Sequence, residues 1–193
     1  MNSSRPQLAE FPHLFAQITQ PENANCVIVP RVFSENRTYL PNCFIDGTKD
    51  KVTDSFFTIV TQEPMLFGVI SSLMHMVWMK NIGGKLETRI QYSKNIVYNT
   101  FPFPPISAQH KNEITQATFR ILEEREKHSD KTLAQLYDPD KMPEGLREAH
   151  RQNDEIIEKC YRSTPFKSDE ERLEYLFKLY EKMIAEEEER KKN

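Results

Sequence analysis

The stretch YNTFPFPPISAQ, residues 98–109, divides the chain. Pro102, Pro104 and Pro105 fix φ and lack an amide proton, so neither a helix interior nor a central strand passes through them. Before the break the sequence is rich in β-branched and aromatic residues. After it, Glu, Lys, Leu and Ala dominate. This contrast predicts an α+β fold: a mixed sheet-and-helix domain over residues 1–105, then a small all-helical domain over residues 106–193. Phe101 and Phe103 alternate with the prolines, so the segment is expected to pack against both halves rather than hang as a linker.

Upstream, CVIV at residues 26–29 reads as a short buried strand stopped by Pro30, and DSFFTIV at 54–60 as a second. MLFGVISSLMHMVWMK, 65–80, is too long for a strand. Its Leu66, Val69, Ile70, Leu73 and Val77 recur at helical spacing. Pro64 suits the first turn of that helix, and Gly83 with Gly84 is expected to end it through a left-handed cap. Residues 86–92 alternate: Leu86, Thr88 and Ile90 on one face of a strand, Glu87, Arg89 and Gln91 on the other, polar face. Downstream, residues 106–127, 132–137, 143–162 and 168–191 read as helices. Ser168 to Glu171 forms a capping box. Leu173, Leu176, Phe177, Tyr180, Met183 and Ile184 form one apolar stripe behind it.

Of the 193 residues, 38% are hydrophobic and 28% charged, the balance of a folded globular chain. The net charge of −3 gives no overall signal for nucleic acid. Residues 1–105 carry +1 and the remainder −4, so a DNA-binding face would come from local arrangement in the first half. The longest apolar run, 65–79, is interrupted by Gly68, Ser71, Ser72 and His75 and is too short to span a membrane. The opening MNSSRPQLAEF lacks a signal-peptide core, which leads to the expectation of a cytoplasmic protein with no membrane partner. Cys26, Cys43 and Cys160 are scattered and odd in number, and read as small buried hydrophobes.

Catalytic signatures are missing. There is no Gly-rich phosphate loop and no Asp/Asn-Pro-Pro-aromatic run; Asp138-Pro139 lacks the second proline and the aromatic. His75, among methionines on a helix, reads as a packed or hydrogen-bonded core histidine. No catalytic residue and no metal ligand is expected. Two polar stretches remain. PRVFSENRTYLP, 30–41, offers Arg31, Ser34, Asn36, Arg37 and Tyr39. RIQYSKNIVYN, 89–99, offers Arg89, Gln91, Tyr92, Ser93, Lys94 and Tyr98. These residue types contact phosphates and bases, and they also make ordinary surfaces.

Three segments carry a resemblance: PRVFSENRTYLP, then SSLMHMVWMKNIGGKLETRIQYSKNIVYNTFPFP, then LYDPDKMPEGLREAHRQNDEIIEKCY. In this order they resemble the C-terminal part of MmeI-like enzymes, bacterial type IIL restriction–modification proteins and their adenine methyltransferase relatives. That family carries P-R-V-S-S-x-x-R-x-Y-x-P, S-x-M-H-M-A-W, G-R-L-x-x-x-Y-R-Y-S, Y-N-N-F-P-W-P and L-Y-D-P-x-x-M-P-x-x-L-x-x-A-H. Phe33, Ile90, Gln91, Thr100 and Phe103 depart from it. The loss of an arginine at Gln91 removes one phosphate contact that the family pattern would supply.

The resemblance implies a target-recognition domain before the proline break and a helical domain after it. The nuclease and the methyltransferase domain lie outside this chain. Double-stranded DNA and a methyltransferase domain or subunit are then the partners. S-adenosylmethionine belongs to the absent catalytic domain, so no cofactor is expected in this chain. It also implies that Glu87 and Arg89 read one base pair. A carboxylate accepts from the cytosine amine and a guanidinium donates to guanine, so the order Glu-x-Arg suits C·G and the swapped Lys-x-Asp suits G·C. Arg31, Ser34, Arg37, Tyr39, Gln91, Tyr92, Ser93 and Lys94 would hold the DNA backbone or support the readers. The alternative is a protein-interaction module that docks on a methyltransferase or restriction subunit without reading DNA.

Overall fold

The computed structural model describes residues 24–192, and the reading made for residues 1–11 lies outside them. Two small antiparallel sheets come first. β1 (Cys26–Pro30) is central in one, flanked by β3 (Cys43–Ile45) and β4 (Phe56–Val60). Its Cys26, Val27, Ile28 and Val29 are all buried, which explains an unbroken apolar run where an edge strand would alternate. The other sheet has the order β2-β6-β5, with β2 (Val32–Phe33), β5 (Gly84–Leu86) and β6 (Arg89–Gln91). β2 and β3 are too short to leave a periodic signal, and the sequence did not predict them.

In the chain between β4 and β5 lies the apolar run, and it is not one helix. α1 (Pro64–Ile70) and α2 (Leu73–Ile82) meet at a 54° bend. The cause is Ser72. Its hydroxyl donates to the Val69 carbonyl at 2.7 Å and accepts from the His75 amide at 3.4 Å, ending one helix and capping the next. Pro64 does start α1. The expected left-handed glycine cap is absent: Gly83 leaves α2 in an extended conformation, φ −63° and ψ 150°, and Gly84 opens β5. Among the described residues, no single helix is long and apolar enough to cross a membrane.

After the proline segment come α3 (Ala108–Glu126), α4 (Leu133–Leu136), α5 (Glu144–Tyr161) and α6 (Asp169–Lys192), within one or two residues of the expected spans. The architecture is α+β, sheets and short helices followed by a helical region. Only half of the capping box at α6 forms. The Ser168 hydroxyl accepts from the Glu171 amide at 3.3 Å, but the Glu171 carboxylate turns to the Lys167 amide and Arg162. The α6 stripe is anchored by Leu176, fully buried, while Phe177 and Tyr180 flank the Trp78 ring of α2 at 5.4 and 5.5 Å.

The two halves share one interior. Gly68 sits against Ile114, Thr118 and Asn153; a Cβ there would come within 2.6 Å of the Ile114 methyl, so only glycine lets α1 approach α3 and α5 this closely. Asn153 donates to the Gly68 carbonyl at 2.9 Å. The proline segment packs as expected, though unevenly: Phe101 is buried, Phe103 is 39% exposed, and the Tyr161 hydroxyl of α5 donates to the Pro102 carbonyl. Cys26 and Cys160 are buried and Cys43 is half-buried; all three are free thiols.

Candidate nucleic-acid interface

Glu87 and Arg89 are not on one strand. The expected strand over residues 86–92 is the end of β5, a two-residue turn and β6. The register pairs Gly84 with Gln91, Lys85 with Ile90 and Leu86 with Arg89, leaving Glu87 and Thr88 as the connection. Turns this short favour Gly or Asn because they need positive φ. Glu87 takes that conformation at φ 59°, and among the described residues no other non-glycine does. A residue with a Cβ is strained there by about 1–2 kcal/mol. The absence of a turn-forming residue is why the alternation looked like a single strand.

The hairpin projects. Five successive residues, Lys85 to Arg89, are exposed, while Ile90 points into the core at 2% exposure. Cross-strand pairing places Leu86, Arg89 and Gln91 on the outward face, with Gly84 opposite Gln91. A Cβ on Gly84 would meet the Gln91 amide oxygen at 3.2 Å, so the missing side chain gives that amide room. At the tip, the Arg89 guanidinium donates to the Glu87 carboxylate at 3.0 Å, the two side chains being 49% and 77% exposed. A pair this open contributes no more than about 1 kcal/mol to stability.

The remaining expected residues separate into exposed and structural groups. Arg31 is exposed, its Nε donating to the Phe56 carbonyl at 3.4 Å, and Lys94 is exposed. Ser34 and Ser93 are half-buried and serve local turns: the Ser34 hydroxyl accepts from the Asn36 amide, and Ser93 caps the one-turn π-helix Lys94–Tyr98. Arg37 reaches across the molecule to donate to the Ala134 carbonyl of α4 at 3.3 Å. The two tyrosines are core residues rather than surface contacts. Tyr92, 3% exposed, bonds its hydroxyl to His75 Nε2 at 3.0 Å. Burial pushes His75 down to about 3, so it is neutral, and it anchors the base of the hairpin. Tyr39, 5% exposed, donates to Asp154 of α5 at 2.7 Å and stacks on His150.

Lys85, Leu86, Asn95 and Ile96 join this exposed surface without having been singled out from the sequence. Leu86 and Ile96 are 48% and 50% exposed, unusual for large apolar side chains. Leu86 directly precedes the charged turn, which the strand reading hid, and Ile96 lies in the one-turn π-helix that follows β6. Among the described residues no group of His, Cys, Asp or Glu is arranged to hold a metal ion.

Residues 1–105 match the family model described as MmeI, target recognition domain, and residues 106–186 match MmeI, C-terminal domain. The chain belongs to the MmeI family. "DNA methyltransferase A" of Bacillus subtilis (strain 168) is 42% identical over 177 residues, 92% of this chain and 20% of that protein. The solved type IIL restriction-modification enzyme MmeI in complex with DNA superposes with a TM-score of 0.86 at 36% identity, over 93% of this chain and 24% of its own. The chain therefore spans between a fifth and a quarter of the length of these relatives. Within the MmeI target-recognition match lie both sheets and the projecting hairpin. Within the C-terminal match lie α3, α4, α5 and most of α6.

Proposed function

We propose that this chain is the sequence-reading module of an adenine-specific, S-adenosylmethionine-dependent DNA methyltransferase of a restriction–modification system, working in the cytoplasm. The reading rests on one observation above the rest. The β5–β6 hairpin, at the edge of the three-stranded sheet in the target-recognition half, carries an exposed carboxylate and guanidinium at its turn. B-DNA's major groove admits a two-stranded ribbon, and these two groups complement C·G there. The DNA-bound relative and the methyltransferase relative support duplex DNA and a methyltransferase domain as partners. Arg31 and Lys94 are the exposed cations suited to phosphates. Arg37, Tyr39 and Tyr92 act by holding the scaffold.

The test is salt-dependent duplex binding by the 193-residue chain. Lys94→Gln is expected to weaken binding to every duplex alike and to reduce the slope of log K against log salt by about one unit. Arg89→Ala is expected to relax preference at one base pair and leave the others unchanged. A salt-insensitive complex with a methyltransferase subunit, and no duplex binding, would instead establish a protein-docking module.

The chemistry of methyl transfer is assigned to a domain outside this chain. Titration calorimetry of the chain with S-adenosylmethionine is accordingly expected to show no tight site, and a micromolar site would overturn the assignment.

A further inference from the structure

We propose that Glu87 also acts as a brake on sequence-independent binding. In the free chain its carboxylate holds the Arg89 guanidinium, and only a base pair that satisfies both groups parts them without loss. This inference rests on the ribbon being the duplex reader.

Three observations carry it. Glu87 is the sole acidic residue between Glu63 and Glu113, a stretch that holds Lys80, Lys85, Arg89, Lys94 and Lys111. A single carboxylate in so basic a stretch stands at the outermost point of the hairpin. It stands there at φ 59°, where glycine or asparagine would sit without strain. The turn therefore does not select a glutamate. Finally, the carboxylate is bonded to Arg89 at 3.0 Å, and both groups face solvent. A pair of that kind is weak enough to open on contact with a ligand.

The consequence is electrostatic. Against an arbitrary sequence, Arg89 gains a phosphate only by abandoning Glu87, which is left unpaired beside a polyanion. Against C·G, the cytosine amine takes the carboxylate while guanine takes the guanidinium. Glu87 thus weakens binding to wrong sequences as well as contributing to the right one. Removing its charge releases Arg89 for phosphate contact anywhere on the duplex.

The experiment measures affinity of the 193-residue chain for a random-sequence duplex pool as a function of salt. Unchanged thermal unfolding of the variants shows that the exposed tip has not disturbed the fold. Glu87→Gln is expected to tighten pool binding roughly threefold to tenfold at low salt and to steepen the salt slope by about one unit, the signature of one added phosphate contact. Glu87→Gly is expected to do the same, since the effect is charge and not turn geometry. In the Arg89→Gln background the gain is expected to vanish. If Glu87→Gln leaves pool binding unchanged or weaker while Lys94→Gln still weakens it, the brake is refuted and the duplex reading stands. A gain that persists without Arg89 refutes the brake as well, because it is then bulk charge. If Lys94→Gln also has no effect, the duplex reading itself fails and takes the brake with it.

Discussion

The double exchange Glu87→Lys with Arg89→Asp is expected to switch the preferred base pair from C·G to G·C. The exchange keeps one donor and one acceptor at the hairpin tip and reverses their order. Lysine then donates to the guanine acceptors, and aspartate accepts from the cytosine amine on the opposite strand. The positions themselves stay, because the register of Leu86 with Arg89 and the two-residue turn are set by backbone pairing. Each good base contact is worth about 1–3 kcal/mol of discrimination, so the preference should invert by at least tenfold in either direction. Either exchange alone places like charges side by side at the tip. Glu87→Lys alone leaves two cations there and is expected to bind both sequences without preference, while Arg89→Asp alone leaves two carboxylates and is expected to bind both poorly, which makes the preference restored by the second exchange the informative result. Selection from a randomised duplex library, read by sequencing, shows the preferred pair directly. If the double variant selects the original pair, Glu87 and Arg89 form an idle surface ion pair and base selection lies elsewhere on the recognition half.

The hairpin also shows where the sequence stopped being informative. Gly-free, Asn-free connections such as Glu87-Thr88 carry no turn signal, so strand alternation ran through them unbroken. The same limit hid the bend at Ser71-Ser72. Serines are tolerated in helices, and only the bonds made by the Ser72 hydroxyl show that it ends one helix and begins another. By contrast, the buried strand at Cys26 to Val29 and the four later helices were legible, because burial on one or both faces writes its period into the residues. Tyr39 and Tyr92 were ambiguous for a different reason. A tyrosine has an apolar ring and one polar atom, and it fits either a wet surface or a core with a single partner. What decided between them were Asp154 and His75, each distant in sequence. α5 was legible as a helix, but the polar part of its inward face was not: His150, Asn153, Asp154 and Glu158 are buried beside Leu146, Ile157 and Tyr161, and their partners lie on other elements.

That polar face joins the halves, and Arg125 shows how. Its guanidinium donates to the Asn42 carbonyl at 2.8 Å and to the Tyr137 hydroxyl. Arginine can only donate, so the Tyr137 hydroxyl accepts from it and gives its own proton to His150 Nε2 at 2.7 Å. Burial and the Arg125 charge both hold His150 well below the usual histidine range, as a neutral acceptor requires. The recognition half is thus joined to α3 and α5 through buried hydrogen bonds made by Arg125, Tyr137, His150 and Asn153. A ribbon that must present two side chains to one base pair gains its rigidity from this junction.

Asp154 makes the junction sensitive to pH, with a sign opposite to that of a surface carboxylate. It accepts from the Tyr39 hydroxyl and from the Leu73 amide at the start of α2, each at 2.7 Å. Those bonds favour its charge, as does Arg172, while Glu158 opposes it. Burial is the larger effect and pushes the carboxyl up to about 7, from an ordinary value of 3.8. Between those values the folded chain keeps a proton that the unfolded chain has released. Asp154 therefore favours folding most at acid pH, and its contribution falls as pH rises from about 4 to about 7, then stays constant. A shift of this size corresponds to a change on the order of 4 kcal/mol across the window. Asp154→Asn cannot ionise and is expected to lack that change. Unfolding of both proteins in denaturant at several pH values isolates the effect, since every other group cancels in the difference. The wild-type chain should lose stability relative to the asparagine variant as pH rises through this window. Parallel curves would mean that Tyr39, Leu73 and Arg172 together keep Asp154 ionised throughout. The lock between the halves would then be a charged one, fully formed only above the carboxyl's ordinary range.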